Sequence, residues 1–274
     1  MSGGLPESRE GALLESIASL ERVVVAFSGG IDSTLVLAAA VRALGPERAM
    51  GVIGVSPSLA ARELEAAVRV GAEVGARVER LDTHELEIEG YRRNGPDRCY
   101  FCKTELYTVL GAFAARRGFQ HILDGTNADD RLDVRPGRKA ARELGVRSPL
   151  LEIGMGKQEI RELSRRWGIS SWHKPAAPCL SSRVPHFQNV TVEKLSAIER
   201  AEAYLASLGL AEFRVRHHGD VARLEIRPED WPKLLEPTIR AELAERLKTY
   251  GFRYVSLDLE GFRSGSLTSN LKGN

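Results

Sequence analysis

The sequence lacks the features that place a chain in a membrane or on a nucleic acid. No stretch approaches the run of about 18 apolar residues that a transmembrane helix needs. The first residues, MSGGLPESREGALLES, do not show the basic and then apolar pattern of a secretory signal. The formal net charge is only +2 and no tract of lysine or arginine occurs, which argues against nucleic acid and membrane partners. We therefore expect a cytoplasmic protein.

Cysteine is also scarce. Cys99 and Cys102 lie in RCYFCK, and the third cysteine, Cys179, lies in PAAPCLSSR. Disulfides rarely persist in the cytosol, so the CxxC pair favours metal or redox chemistry over a structural crosslink.

Apolar runs alternate with helical patterns over the first part of the chain. The run RVVVAF predicts a strand buried on both faces, and AMGVIGVS, ARVERLD and HILD predict three more strands. Helices are predicted over 33–44, from a cap at Ser58 to Val74, over 103–117 and over 157–167. This alternation predicts a doubly wound α/β fold with a parallel sheet, whose ligands bind at the carboxyl ends of the strands.

The pattern changes after about residue 185. A helix over 191–208, the hairpin FRVRHHGDVARLEI turning near Gly219, a helix over 229–250 and a strand in FRYVSLDLE indicate a smaller α+β domain. We therefore divide the chain into a nucleotide-binding domain, residues 1–185, and a substrate or oligomerisation domain, residues 186–274.

The loop SGGIDS lies between the first strand and its helix. Gly29 and Gly30 let the backbone turn sharply and approach a ligand closely. The helix N-terminus favours a bound phosphate, and Ser28 and Ser33 add hydroxyl donors. Asp32 beside an anion indicates a bridging divalent cation. The loop has no lysine and is not a Walker A loop; the plain alternative is a strand–helix turn with polar caps.

AFSGGIDS resembles the pyrophosphate loop of N-type ATP pyrophosphatases, the superfamily of GMP synthetase, NAD synthetase, asparagine synthetase and the RNA thiolases. The resemblance implies an adenine nucleotide α hydrolase-like fold. It also implies that a substrate oxygen attacks the α-phosphorus of ATP, with Mg²⁺ as a cofactor and pyrophosphate as a product. It assigns the nucleotide and metal contacts to Ala26, Ser28, Gly29, Gly30, Asp32 and Ser33.

The segment LDGTNADD follows a later strand and therefore falls at the same edge of the sheet. Gly125 is expected to approach the nucleotide. Asp124, Asp129 and Asp130 are candidate Mg²⁺ ligands, and we assign this role to Asp130. A turn in which the aspartates cap backbone N–H groups is the alternative.

Four interpretations of the three thiols are open. A zinc site needs a fourth ligand, such as His173 or His84. A thioredoxin-like pair at the start of a helix leaves Cys179 without a role, and three buried thiols do not fit the polar, turn-rich surroundings. A [4Fe–4S] cluster on Cys99, Cys102 and Cys179 leaves one iron open for a sulfur nucleophile. Only this interpretation connects the thiols with the ATP loop.

The motifs AFSGGIDS, RCYFCK, DGTNADD, PAAPCLSSR, FRVRHHGDVARLEI and GFRSGS together resemble the LarE family of ATP-dependent sacrificial sulfur transferases. The resemblance extends over about residues 16–266. It implies thiolation of both carboxylates of pyridinium-3,5-biscarboxylic acid mononucleotide, toward the nickel-pincer nucleotide cofactor of lactate racemase. It also implies a sulfide source and a homo-oligomer, expected to be a hexamer.

Cys179 occupies the position of the cysteine that, in the single-cysteine form of this family, gives up its sulfur and becomes dehydroalanine. This sequence departs from that form because it also contains Cys99 and Cys102. It therefore resembles the three-cysteine form, which implies a [4Fe–4S] cluster through which the sulfur passes.

Basic side chains are the expected substrate contacts. Arg214 and Arg216 lie on one face of a strand and suit a phosphate, with Glu225 as an ion-pair partner in the alternative interpretation. Arg183 follows Cys179 closely and is expected to hold a substrate carboxylate.

Three further residues are weaker candidates. Glu202 is a candidate Mg²⁺ ligand, against the alternative of a solvated helix face. Trp172 and His173 flank the cysteine loop, where packing or capping is an equal alternative.

Two other functions share parts of these motifs. A tRNA thiolase also combines this ATP loop with cysteines, but it needs a basic surface. A zinc-stabilised nucleotide-binding module would hold the metal without catalysis. Salt-dependent tRNA binding would favour the first function, and stoichiometric zinc without pyrophosphate release would favour the second.

Overall fold

The computed structural model describes residues 7–132, 136–175 and 177–263. The chain folds into two compact units. The first contains the described residues up to Tyr91 and Asp97–Ala177, and the second contains Arg92–Pro96 and the described residues from Pro178 onward. Residues 178–185, which the sequence analysis placed in the first domain, pack with the second unit. The division into domains at residue 185 stays a prediction.

The first unit is built from alternating strands and helices. Its elements are α1 (Glu7–Ala18), β1 (Val23–Ala26), α2 (Ile31–Leu44), β2 (Ala49–Val55), α3 (Ala61–Glu73), β3 (Arg77–Asp82), α4 (Glu89–Arg92, whose last residue belongs to the second unit), α5 (Arg98–Arg116), β4 (His121–Leu123), α6 (Pro136–Glu143), α7 (Pro149–Glu152) and α8 (Lys157–Arg166). Short 3-10 turns cover Glu85–Glu87, Ala128–Leu132 and Ser170–His173.

The four strands form one parallel sheet in the order β3-β2-β1-β4. The chain moves outward from β1 to β2 and β3 and then returns to place β4 on the other side of β1. The strand order therefore reverses beside β1, and in open sheets of this kind ligands bind at such a point, outside the carboxyl ends of the strands. The predicted α/β class with a parallel sheet is confirmed.

The burial of β1 on both faces of the sheet explains why its sequence, VVVA, is apolar at every position. Val23 and Val25 belong to a buried cluster with residues of α1, α2 and α8, whereas Val24 and Ala26 belong to a second cluster with residues of α5. Successive side chains of a strand point to opposite faces, so a strand covered on both faces is apolar throughout.

Two helix starts differ from the prediction. Helix α3 begins at Ala61 with Ala60 as its N-cap, so the predicted Ser58 cap is wrong. The Ser58 hydroxyl instead donates to the buried Glu85 carboxylate at 2.9 Å. Helix α5 begins at Arg98 rather than Lys103, which places both cysteines of the CxxC pair in its first turns.

The second unit contains a small mixed sheet and three helices in its described part. Its elements are α9 (Val192–Ser207), β5 (Phe213–His218), β6 (Val221–Ile226), α10 (Trp231–Leu234), α11 (Pro237–Thr249) and β7 (Tyr254–Leu257), with 3-10 turns over Leu180–Arg183 and Pro228–Asp230. Strands β5 and β6 form the predicted hairpin, and β7 pairs with β6 in parallel.

The single helix predicted over 229–250 is wrong. The chain leaves α10 after Leu234, and α11 starts anew at Pro237. Proline lacks an N–H group and is tolerated at the first position of a helix but not in its interior. The Glu236 side chain accepts a hydrogen bond from the Ile239 N–H at 2.9 Å and caps the new helix.

Across the described part of the chain, no helix combines the length and apolar character needed to cross a membrane.

Candidate active site

The loop after β1 turns at Gly29, whose φ of 70° lies in the left-handed region. A Cβ atom at Gly29 would lie 2.5 Å from the Cβ atom of Ala67 in α3. Only glycine therefore fits this turn. Ala26, the last residue of β1, is buried in the sheet below the loop.

Two serines fix the loop against the start of α2. The Ser28 and Ser33 hydroxyls are 3.1 Å apart, and the Ser33 hydroxyl donates to the Gly30 carbonyl at 3.1 Å. No side chain caps α2 at Gly30. The first turn of α2 therefore presents backbone N–H groups and the positive end of the helix dipole, which is an arrangement that binds phosphate.

Asp32 is paired with a lysine from a distant part of the chain. The Lys157 ammonium donates to both Asp32 oxygens, at 2.8 and 2.6 Å. Lys157 is the first residue of α8. Where the sequence predicts a divalent cation beside Asp32, the structure places an ammonium.

Gly125 packs directly on the nucleotide loop. A Cβ atom at this position would lie 2.6 Å from the Ser33 nitrogen and 2.9 Å from the Asp32 carbonyl carbon. The absence of a side chain thus lets the segment after β4 approach the first turn of α2.

The three aspartates after β4 each accept a hydrogen bond from a backbone N–H group. Asp124 accepts from Thr126 at 3.0 Å, Asp129 from Lys157 at 2.7 Å and Asp130 from Asn127 at 3.1 Å. This is the turn-capping arrangement that the sequence analysis kept as the alternative. The assignment of Asp130 to Mg²⁺ stays a prediction.

Asp124 also anchors a buried polar group. Its carboxylate accepts from the Ser148 hydroxyl at 2.7 Å and from the Tyr107 hydroxyl at 3.1 Å. Burial raises the pKa of Tyr107 to about 12, so this hydroxyl stays protonated and remains a donor at neutral pH.

The CxxC pair lies beside a lysine. Cys99 is exposed and Cys102 is half-buried, and residues three apart on a helix share one face. The pKa of Lys103 is raised to about 12, chiefly by its electrostatic interaction with Tyr107 and to a smaller extent by those with Cys102, Asp124 and Cys99. Burial acts in the opposite direction. A cation thus stays charged next to both thiols, and thiolates are the ligands of iron–sulfur clusters.

No disulfide joins any of the three cysteines. Among residues 7–132, 136–175 and 177–263, no three histidine, cysteine, aspartate or glutamate side chains are grouped so as to hold a metal ion. His84 is exposed and pairs with Glu87 at 3.8 Å. Trp172 and His173 contact each other edge to face, with ring centroids 5.3 Å apart.

In the second unit, Arg183 is hydrogen-bonded to the backbone of the segment that carries Cys179. Its guanidinium donates to the Pro178 carbonyl at 2.6 Å and to the Cys179 carbonyl at 3.1 Å. It also donates to both Glu202 oxygens, at 2.9 and 3.1 Å. The Cys179 side chain itself is exposed.

Glu202 lies on the buried face of α9, so the alternative of a solvated helix face is wrong. Besides the bonds from Arg183, the carboxylate accepts the Val215 N–H at 3.1 Å. This links the Cys179 segment to strand β5. Its assignment as a Mg²⁺ ligand stays a prediction.

The two arginines of β5 differ in their partners. Arg216 is buried, donates to Glu225 at 2.9 Å and donates to the Ser182 carbonyl at 2.7 Å. Arg214 is also buried, and none of the described carboxylates forms an ion pair with it. Burial, together with the neighbouring Arg216 and Arg183, lowers the pKa of Arg214. An anionic ligand would relieve this unfavourable charge.

Comparison with known proteins identifies the family. A family model described as NAD synthase matches residues 12–98. An uncharacterized protein of Synechocystis is 43% identical over 95% of this chain and 97% of its own length. The pyridinium-3,5-bisthiocarboxylic acid mononucleotide synthase of Lactiplantibacillus plantarum is 37% identical over 96% of this chain and 95% of its own length. This chain belongs to the same family as that synthase. An uncharacterized protein of Methanocaldococcus jannaschii is 28% identical over 89% of this chain and 92% of its own length.

The structure of this synthase-family member brings to the candidate sites two residues that were not predicted from the sequence. Lys157 reaches Asp32 across 125 positions, and Lys103 lies beside the CxxC pair. Lys103 directly follows Cys102, so its position beside the CxxC pair could have been predicted from the sequence. For Lys157 the only signal was indirect, since Asp32 in a phosphate loop needs a nearby cation.

Proposed function

We propose that this protein is an ATP-dependent sulfur transferase that converts the two carboxylates of pyridinium-3,5-biscarboxylic acid mononucleotide into thiocarboxylates. The observation that carries this proposal is the similarity over nearly the whole chain to a synthase named for the bisthiocarboxylic acid product. The product would serve as the precursor of the nickel-pincer nucleotide of lactate racemase.

ATP solves the chemical problem of the reaction. A carboxylate oxygen is a poor leaving group, whereas AMP leaves readily once the carboxylate has attacked the α-phosphorus and released pyrophosphate. The uncapped start of α2 and the loop Ser28–Gly30 support binding of the triphosphate. Mg²⁺ would neutralise phosphate charge, and the Asp32 carboxylate has the oxygen ligands that this ion prefers.

Sulfur would then displace AMP from the acyl-adenylate. Cys99, Cys102 and Cys179 are the thiols of the chain, and an exposed side chain at Cys99 and Cys179 supports a role in chemistry rather than in packing. A [4Fe–4S] cluster, when bound to these thiols, would supply the transferred sulfur.

Arg214 supports recognition of the mononucleotide phosphate. Its buried guanidinium has the five N–H donors that match phosphate geometry. Arg216 would assist through charge, although it also pairs with Glu225. We also propose that the protein forms a homo-oligomer, expected to be a hexamer, and that it is located in the cytoplasm.

The decisive experiment is anaerobic turnover with ATP and the pyridinium biscarboxylate, followed by mass spectrometry of product and protein. Formation of thiocarboxylate with one AMP and one pyrophosphate per transferred sulfur supports the proposal. Pyrophosphate release without sulfur incorporation would overturn it. Loss of the elements of hydrogen sulfide from Cys179 would indicate sacrifice of this cysteine, and repeated turnover with an intact chain would indicate the cluster route.

The two rival functions are not favoured by the comparisons, since a relative that matches nearly the whole chain is named as the synthase of a mononucleotide. Salt-dependent binding of tRNA would still reveal a tRNA thiolase. Stoichiometric zinc without pyrophosphate release would reveal a nucleotide-binding module.

A further inference from the structure

Within the second unit, a buried asparagine binds the segment that follows Cys179. The asparagine is Asn94, which lies in the stretch Arg92–Pro96 that this unit takes from the middle of the chain. Its side-chain amide donates to the Val184 carbonyl at 3.1 Å and to the Pro185 carbonyl at 2.8 Å. Asn94 is fully buried. An amide nitrogen carries two hydrogens, and these two carbonyl groups match them in number.

Backbone hydrogen bonds join the same two segments. The Phe187 N–H group donates to the Asn94 carbonyl at 3.1 Å, and the Val190 N–H group donates to the Arg92 carbonyl at 2.9 Å. The His186 ring nitrogen Nδ1 lies 3.3 Å from the Asn94 carbonyl oxygen. The backbone of Asn94 is therefore held in place without its side chain, and the amide acts specifically on the carbonyl groups of residues 184 and 185.

Two residues of this junction have a strained backbone. Asn94 has a φ of 56° and Phe187 a φ of 65°, and in the described part of the chain Glu21 is the only other non-glycine residue with a positive φ. Asparagine tolerates this left-handed conformation, but a bulky phenylalanine rarely adopts it. Phe187 gains little packing in return, since 72% of it is exposed. Strain of this kind persists where the surrounding structure fixes one geometry, as it does at functional sites.

Side chains hold the carbonyl groups of residues 178–185. Arg183 binds those of residues 178 and 179, Arg216 binds that of Ser182, and Asn94 binds those of residues 184 and 185. The two arginines carry charges that also act on an anionic ligand. The neutral amide of Asn94 contributes hydrogen-bond donors alone, so its role is to fix the shape of the segment.

We propose that Asn94 is a positioning residue for sulfur transfer, because its amide fixes the segment that presents the exposed Cys179 side chain. The inference rests on the proposed function, in which Cys179 takes part in both routes for the sulfur. To displace AMP, the sulfur has to reach the carbonyl carbon of the acyl-adenylate at a short distance and in a fixed direction. Water competes for the same carbon. When water attacks it, AMP leaves and the carboxylate is regenerated, so ATP is consumed without formation of thiocarboxylate.

The test compares Asn94→Gly with Glu21→Gly in the full chain. Glycine adopts a positive φ without strain, so Asn94→Gly removes the amide and keeps the backbone conformation. Glu21→Gly makes the same backbone change in the first unit and is the matched control. The wild type and Glu21→Gly should release about one pyrophosphate per thiocarboxylate, and Asn94→Gly about ten or more, because a misplaced sulfur loses to water. The KM for ATP should change by less than about twofold, since the nucleotide loop belongs to the first unit.

Hydrogen exchange provides a measurement that does not depend on turnover. The N–H groups of Ser182 and Val184 donate to the carbonyls of residues 179 and 181. In Asn94→Gly these two groups should exchange about tenfold faster or more, as mapped by peptide mass spectrometry, because the segment opens more often. Glu21→Gly should leave their exchange unchanged. In the wild type, the N–H groups of Phe187 and Val190 should be protected, and exchange there as fast as in an unfolded chain would overturn the inference without any variant.

The outcomes separate a positioning role from a structural one. An unchanged ratio of pyrophosphate to thiocarboxylate in Asn94→Gly would overturn the inference, and so would unchanged exchange at Ser182 and Val184. An equal decrease in both products would also overturn it, because general loss of structure affects both. A wild-type protein that makes no thiocarboxylate would overturn the proposed function instead, and hydrogen exchange would then decide whether the Asn94 amide holds the Cys179 segment.

Discussion

Arg183 and Glu202 form a bidentate ion pair inside the second unit, with N–O distances of 2.9 and 3.1 Å. Both side chains are almost fully buried. The same guanidinium holds the Cys179 carbonyl at 3.1 Å. The backbone of Cys179 is thus tied through Arg183 to helix α9.

Removal of Glu202 should leave a buried guanidinium without its carboxylate. We expect Glu202→Ala to lower the free energy of unfolding of the second unit by about 3–5 kcal/mol, measured by urea titration. Pyrophosphate release should persist, because the nucleotide loop belongs to the first unit, while sulfur transfer should fall. Glu242→Ala, which breaks an exposed pair with Arg246, is the matched control and should have little effect. An equally small effect of Glu202→Ala would contradict the structural role given to this pair.

Gly125 should tolerate no side chain. We expect Gly125→Ala to weaken ATP binding, because its Cβ atom would lie 2.6 Å from the Ser33 nitrogen and force the loop to move. Overpacking of this kind costs about 1–3 kcal/mol. The measurement is the dissociation constant of ATP together with the melting temperature. Gly111→Ala is the matched control, since a Cβ atom there meets open space within α5 and should stabilise the helix by about 0.5–1 kcal/mol.

Arg214 and Arg216 should respond differently to the same substitution. Arg216→Met breaks the buried pair with Glu225, which keeps Arg223 as a second partner, and should destabilise the second unit by about 1–3 kcal/mol. Arg214→Met removes a buried cation whose pKa is lowered by burial, and should leave the melting temperature unchanged or raise it. In kinetic assays, Arg214→Met should raise the KM for the mononucleotide and leave the KM for ATP unchanged. A loss of stability in Arg214→Met as large as that in Arg216→Met would argue for a purely structural Arg214.

The second unit should lose stability in mild acid through His218. Burial, followed by Arg223 and Arg216, lowers the pKa of His218 below its usual value, and the Arg223 Nε–H group donates to His218 Nε2 at 3.2 Å. That bond requires the neutral ring. Protonation therefore favours the unfolded chain, so the contribution of His218 is complete above the unfolded pKa of about 6.5 and is lost as the pH falls below it.

Urea titrations at several pH values between about 5 and 8 test this expectation. The free energy of unfolding should decrease toward the acidic end in the wild type and decrease less in His218→Gln. An identical pH dependence in both proteins would show that His218 is not responsible. Burial also lowers the pKa of His217, so protonation of His217 would lower the stability in the same direction. A His217→Gln variant should therefore be measured in parallel.

The prediction of the fold succeeded where local pattern and architecture agree. The strand VVVA within RVVVAF is apolar at each position because it is covered on both faces, and SGGIDS follows as a glycine turn into a helix. The parallel sheet follows from the alternation of such strands with helices. The same local reasoning failed at Ser58, because its hydroxyl bonds to Glu85 rather than to the helix that follows.

Partner choice among charged residues could not be predicted in the same way. Glu202 has the sequence surroundings of an ordinary helix, yet it lies against Arg183 and the β5 backbone. Long charged side chains reach whichever opposite charge the packing of the elements brings near. That distance is a property of the folded chain and leaves no periodic signal.

The sequence by itself determined the α/β class, the phosphate loop and the three candidate thiols, because each depends on residue type and spacing within a short segment. Only the tertiary structure decided that Lys157 supplies the cation beside Asp32, that Gly125 lies against the start of α2, and that Glu202 is buried with Arg183. These relationships join residues that the folding of helices and strands brings together from distant positions, and the physical reason is that side-chain contacts act over a few ångströms in space rather than along the chain.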